Sequence, residues 1–133
     1  MAQVGETFFT VVGCMDGRCQ RVMADFGMQK FGSLFPDTIT EAGIVGVIAN
    51  NPSKDFLENL KFKLLVSVDK HNSNGILVDG HQECAGNPVE DEHHIKDINK
   101  SVEIVKGLIK NKVPVMGIFV KRSEKGWVGE EIT

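Results

Sequence analysis

The chain has 133 residues, 41% of them apolar and 25% charged, with a formal net charge of −3; this excludes disordered and fibrous classes and predicts a single domain over residues 1–133. The mildly acidic balance, with no Lys/Arg cluster, leaves no electrostatic footprint for nucleic acid. No apolar run approaches the ~18 residues of a membrane span and no secretory pattern opens the chain, so a cytoplasmic protein with no membrane partner is expected. Three cysteines, an odd number in a compartment that keeps thiols reduced, argue for metal binding or catalysis over a disulfide framework.

A first strand is expected from Phe8 to Val12, apolar throughout and so buried on both faces. It runs into the loop Gly13-Cys14-Met15-Asp16-Gly17-Arg18. Val22, Met23, Phe26 and Phe31 then recur at helical spacing, with Gly32 as the stop. Pro36-Asp37 leads into a short segment, Thr38-Ile39-Thr40, ending in Glu41-Ala42-Gly43. Gly43 and Gly46 bracket Ile44-Val45, where the backbone can turn tightly or come close to something small. Asn51-Pro52 reads as a helix N-cap followed by proline at the first helical position. Phe56, Leu60, Leu64 and Val68 supply that helix with one apolar face, and Asn72 to Gly75 closes it.

A second apolar strand, Ile76 to Val78, delivers His81 and Cys84. Asn87-Pro88, with Glu90 three residues after the asparagine, reads as a capping box, and Glu90 to Glu92 suit the positive end of a helix. Ile95, Ile98, Val102, Val105 and Ile109 keep a 3,4,3,4 spacing along it. Val113 to Val120 is the last strand, and Lys121 to Gly126 is a polar turn into a short piece around Trp127 and Val128. The alternation of strands and helices predicts an α/β fold, a mostly parallel central sheet flanked by helices on both faces. Loops that leave the carboxyl edge of such a sheet are where ligands bind.

Two of those loops carry potent side chains: Cys14, Asp16 and Arg18 on one, His81 and Cys84 on the other. Thiolates and an imidazole suit zinc, at ~2.0 to 2.3 Å in a tetrahedron with one position open to water. Cys14 and Asp16, two apart, can point to the same side of an extended strand end, while His81 and Cys84 can close on one ion from a turn. Joined over one metal they offer Cys2His, with either Asp16 or water in the fourth position. Arg18 can hold the Asp16 carboxylate in a forked bond and so leave that position to water. Should the pair open, Asp16 would swing onto the metal and shut the site. Cys19 has no partner in either motif and is read as structural. His93 and His94 are expected on the solvated surface of a helix start, His71 at a helix end, and Trp127 in the core or in a dimer contact.

These residues resemble the β class of carbonic anhydrases. That family's signature is Cys-x-Asp-x-Arg on its first strand and His-x-x-Cys-[Gly/Ala]-Gly much later; here stand Cys14-Met15-Asp16-Gly17-Arg18 and His81-Gln82-Glu83-Cys84-Ala85-Gly86. The resemblance implies Zn2+ held by Cys14, His81 and Cys84, an Asp16–Arg18 dyad, and a substrate pocket that includes Ala42 and Gly43. It implies reversible hydration of carbon dioxide to bicarbonate and a proton, and assembly as a homodimer or a dimer of dimers. Three departures mark a compact, divergent member. Thr40-Glu41-Ala42-Gly43 stands where the family usually reads Arg-Asn-Ala-Gly, no helical arm precedes the first strand, and there is no tyrosine. Two other readings stay open: a hydrolase of carbon disulfide or carbonyl sulfide using the same site, and a zinc-binding protein without turnover in which Asp16 fills the fourth position.

Overall fold

The computed structural model describes residues 2–133. Its five strands are β1 (Phe8–Cys14), β2 (Phe35–Glu41), β3 (Ile76–His81), β4 (Val115–Ser123) and β5 (Gly126–Glu131). They form one sheet in the order β2-β1-β3-β4-β5. The β1–β2, β1–β3 and β3–β4 pairings are parallel, and β4–β5 is antiparallel. The predicted α/β class is therefore correct, with one addition at the edge: the piece around Trp127 is a full strand. Its turn is closed by Ser123, whose hydroxyl donates to the Gly126 carbonyl at 2.8 Å and accepts from the Lys125 amide at 3.1 Å.

The helices are α1 (Gly17–Phe31), α2 (Ile44–Ala49), α3 (Lys54–Leu65) and α4 (Asp91–Leu108), with a π-helical turn at Val66–Lys70 extending α3. Asp16 caps α1 by accepting the Arg18 amide, and Gly32 ends the helix as the spacing predicts. Between Gly43 and Gly46 a tight turn or a close approach is expected; the segment is the short helix α2, and both glycines do come close to a neighbour, the Gly86–Asn87 turn. Six residues are too few to be helical by propensity, but Ile44, Val45, Ile48 and Ala49 are all buried. The isoleucines and Val45 each contribute about 1.5–3 kcal/mol by leaving water, Ala49 less, and that decides the conformation.

Two caps differ from expectation. Ser53, and not Asn51, opens α3, with its hydroxyl accepting the Phe56 amide at 3.1 Å. Asn51 sits outside the helix in the left-handed region at φ 56. At α4 there is no capping box: Glu90 is the N-cap without a side-chain bond, and Asn87 instead donates its amide to Asp97 at 3.0 Å.

Both sheet faces are covered. Val12, Val78 and Phe119 pack with Ile48, Leu64, Ile98 and Val102 on the α2–α4 side. Phe9, Val11, Leu77 and Val120 pack with Cys19 and Met23 of α1 on the other. Cys19 is thus a small core residue, as read from sequence. His71 lies at the helix end as expected, its amide on the Val66 carbonyl, while its ring stacks on Phe8 at 4.3 Å and its Nδ1 lies 2.7 Å from Asp37. No helix among the described residues is long and apolar enough to cross a membrane.

Candidate metal centre

Parallel pairing of β1 with β3 brings both carboxyl ends to one edge of the sheet. Cys14 closes β1, His81 closes β3, and Cys84 follows in the next turn. The two sulfurs lie 3.8 Å apart, and the ligand atoms of Cys14, His81 and Cys84 all lie within 4.8 Å of one another. Two thiolates bound at about 2.3 Å to one tetrahedral zinc stand about 3.8 Å apart. The spacing therefore fits the ion that sequence reasoning expects.

The histidine is set up for the same task. Its Nδ1 lies 2.6 Å from the Gln82 carbonyl, which can only accept, so Nδ1 carries the proton and Nε2 the lone pair. That Nε2 is buried and has no hydrogen-bond partner. An orphaned acceptor between two thiols is costly unless it ligates a metal, and a backbone bond on the other nitrogen is the usual orienting device.

Burial raises the Cys14 thiol, but His81 and the Gly43 amide, 3.4 Å from the sulfur, outweigh it and bring the group down to about 7. Cys84 is pushed up, first by burial and then by the charge on Cys14. Cys84 thus resists ionising beside Cys14, and a bound cation would let both become thiolates.

Asp16 and Arg18 form the forked pair. Asp16 Oδ1 accepts from the Arg18 amide at 2.8 Å and from Nε at 3.0 Å, and Oδ2 accepts from Nη2 at 2.7 Å. These bonds hold the carboxyl at about 2. Oδ2 also lies 3.9 Å from His81 Nε2, so the carboxylate stands beside the ligand set.

Ala42 and Gly43 sit where the loop after β2 meets the loop after β3. Gly43 adopts φ +58, and a Cβ there would fall 2.5 Å from the Gly86 carbonyl carbon; a Cβ on Gly86 would fall 2.7 Å from Ala42. The loops touch backbone to backbone, which keeps the Gly43 amide on Cys14. All seven residues singled out from the sequence are thus brought to one end of the sheet.

Four further residues at this end escaped the sequence reading or were misplaced by it. Asp79 is almost fully buried, and burial pushes its carboxyl up to about 8. Gly13 makes room for it, since a Cβ at position 13 would collide with Oδ2. A charged residue two positions before His81, on the same strand face, was the available signal. Glu83, in the left-handed region at φ 57 between two of the ligands, accepts from Arg18 and Arg122.

Trp127 is half-buried and packs against the Phe9, Val11 and Met23 core, one of its expected places. It also has a contact the sequence did not suggest: the Arg18 and Arg122 guanidiniums lie over its ring at 4.8 and 4.7 Å, with His81 edge-on at 6.5 Å. Its place in an antiparallel strand next to Arg122 explains this, because cross-strand neighbours share a face.

His94 is not on the surface. It is 1% exposed, with both ring nitrogens unpartnered, beside Phe119 at 6.0 Å. It stands four residues before Ile98 and so begins the apolar stripe of α4. Its neighbour His93, turned about 100° away, is exposed as expected and lies 3.6 Å from Asp97.

A family model described as "Putative carbonic anhydrase" matches residues 4–132. Among solved structures, the β-carbonic anhydrase isoform I of Trichomonas vaginalis is 17% identical with a TM-score of 0.61, covering 97% of this chain and 86% of that one. The carbonic anhydrase of Streptococcus mutans is 15% identical at a TM-score of 0.62, covering 100% and 87%. A tetrameric β-carbonic anhydrase of Sordaria macrospora is 11% identical at 0.59, covering 96% and 82%. No curated protein matches the sequence. At such identities the structural likeness is one of fold, that of the β-carbonic anhydrases, and the family model supplies the family: the chain belongs to the one described as putative carbonic anhydrase.

Proposed function

We propose that this protein is a zinc-dependent carbonic anhydrase, catalysing the reversible hydration of carbon dioxide to bicarbonate and a proton. The observation that carries the reading is a buried set of three ligands, Cys14, His81 and Cys84, beside a carboxylate that an arginine holds in a fork. Three protein ligands and a free fourth position mark a catalytic zinc site, whereas a structural site uses four.

Bound there, zinc lowers the pKa of a water toward ~7, a magnitude known from carbonic anhydrases with three histidine ligands. The chain's own residues supply the rest. Cys14 and Cys84 would hold the ion as thiolates and His81 through Nε2, with the Gln82 carbonyl fixing the tautomer. Asp16 is the orienting acceptor. Its Oδ1 is saturated by the Arg18 amide and Nε, but Oδ2 takes only one bond, from Nη2, and so keeps a lone pair for the attacking water. The proton the water gives up goes to solvent, since a carboxyl held at about 2 does not keep it. The bond to Oδ2 aims the oxygen's remaining lone pair at the carbon of a linear, apolar electrophile, where a C–O bond forms as one C=O π bond breaks. Arg18 keeps Asp16 ionised and away from the metal, which speaks against a closed structural site. Ala42 and Gly43 form the wall against which the substrate lies.

Assembly as a homodimer or a dimer of dimers is part of this reading. The exposed apolar residues Leu34 and Phe35 at the start of edge strand β2 support it. Three free cysteines suit a reducing compartment such as the cytoplasm.

The test is stopped-flow hydration of carbon dioxide by the zinc-loaded protein from about pH 6.5 to about pH 9, beside Cys84→Ser. Turnover that rises with pH and disappears in the variant is expected. Absence of turnover at every pH, with zinc bound at one per chain, would contradict the reading.

A further inference from the structure

We infer that Glu83, Arg122 and Trp127 are positioning residues that clamp the Arg18 guanidinium onto Asp16 and so keep the carboxylate off the metal. The inference rests on the catalytic reading above and extends it to residues outside the ligand set and the dyad.

Arg18 needs such help. Its side chain is 36% exposed, and an ion pair that open to water is weak on its own and holds no fixed geometry. Asp16 uses only part of the guanidinium. Nη1 donates to Glu83 Oε1 at 3.3 Å, and Nη2 donates also to the Glu83 carbonyl at 3.0 Å. The plane of the group lies over Trp127 at 4.8 Å. Arg122 completes a ring of contacts: its Nε and Nη2 donate to the Glu83 carboxylate and its own guanidinium lies over Trp127 at 4.7 Å. Glu83 thus bridges two arginines that share one indole, and cation–π contact favours both.

The clamp joins three parts of the fold. Glu83 lies in the turn between His81 and Cys84, Arg18 in the first turn of α1, and Arg122 and Trp127 face each other across the β4–β5 hairpin. Arg122 is fixed further by its amide, which donates to Gln82 Oε1 at 2.8 Å. The antiparallel fifth strand therefore has a task at the site: it presents the indole on which the dyad arginine rests. If the clamp is lost, Arg18 gains other orientations and Asp16 is released toward His81 Nε2, from which Oδ2 is already only 3.9 Å away.

The test uses protein substituted with cobalt(II), titrated with thiocyanate and followed by visible absorption, with carbon dioxide hydration of the zinc form measured in parallel. Glu83→Gln and Trp127→Leu should each bind thiocyanate at least about tenfold more weakly, with one metal per chain retained, and should lose kcat by a similar factor. Trp127→Phe, which keeps an aromatic face, should recover most of the loss. In an Asp16→Asn background, where no carboxylate is left to close the site, Trp127→Leu should have no further effect on thiocyanate.

Wild-type thiocyanate affinity in both Glu83→Gln and Trp127→Leu would overturn the clamp, as would an undiminished effect in the Asp16→Asn background. Glu83 is half-exposed, so its variant keeps the test valid should Trp127→Leu fail to fold. A wild-type protein that binds cobalt and thiocyanate yet hydrates no carbon dioxide would sink the proposed activity, and the thiocyanate titrations would still decide the clamp.

Discussion

His94 is an imidazole sealed among apolar side chains at the start of α4, and burial pulls its pKa below the ordinary 6.5. Asp91 and Asp97 act in the opposite sense and His93 in the same one, but desolvation is the largest cause. The folded protein therefore keeps His94 neutral where the unfolded chain takes up a proton. Stability from this group is complete above about pH 6.5 and is lost as pH falls below it, at up to ~1.4 kcal/mol per unit. Chemical unfolding of His94→Gln beside wild type should show the variant losing less stability than wild type between about pH 7 and pH 5. Parallel curves would mean that His94 is charged in the folded state.

Residues with chemistry in their names were legible because ligand and dyad types recur at fixed short spacings. Asp79 and His94 were not, because each puts a polar side chain on an otherwise apolar face, Asp79 inside β3 and His94 at the start of the α4 stripe, and only tertiary packing shows whether the face or the polarity wins.

Elements were legible where hydrophobic period and length agree, as in α1, α4 and the parallel strands. They were obscured where local chemistry competes. Asn51 and Ser53 are both capping residues two positions apart, and Pro52 between them fits either choice. The backbone decides for Ser53, since Asn51 lies in the left-handed region. Ser53→Ala should accordingly cost about 1 kcal/mol in denaturant unfolding, and an unchanged midpoint would show that the Phe56 amide finds another acceptor. Likewise α2 is too short to have a period, and β5 could not be told from a loop because its half-exposed surface carries few apolar side chains.

At the scale of the molecule, the site exists only because β1 and β3 are parallel neighbours. Cys14 and Cys84 are 70 positions apart in the chain, and nothing but the folded sheet brings their sulfurs to 3.8 Å. A metal that binds this arrangement and not the unfolded chain stabilises the fold by mass action, by about 4 kcal/mol at a free concentration a thousand times Kd. Chelation should therefore lower the melting temperature markedly, and zinc, added back, should restore it. A melting curve indifferent to chelator would mean that the trio holds no metal in solution. Alternation of strands and helices predicts parallel strands whose carboxyl ends share one edge; that these two ends meet was read from the ligand types they carry, since sheet order itself was not legible. The Trp127 platform could not be foreseen, since it depends on an antiparallel hairpin that the alternation leaves open.

The most direct measurement is zinc-edge X-ray absorption on the purified, zinc-loaded protein, with metal content determined on the same sample. One zinc per chain is expected, with two sulfurs at about 2.3 Å and two nitrogen or oxygen neighbours at about 2.0 Å, one sulfur being lost in Cys84→Ser. A shell without sulfur, a shell of three or more sulfurs, or protein that retains no zinc would contradict a centre built from Cys14, His81 and Cys84.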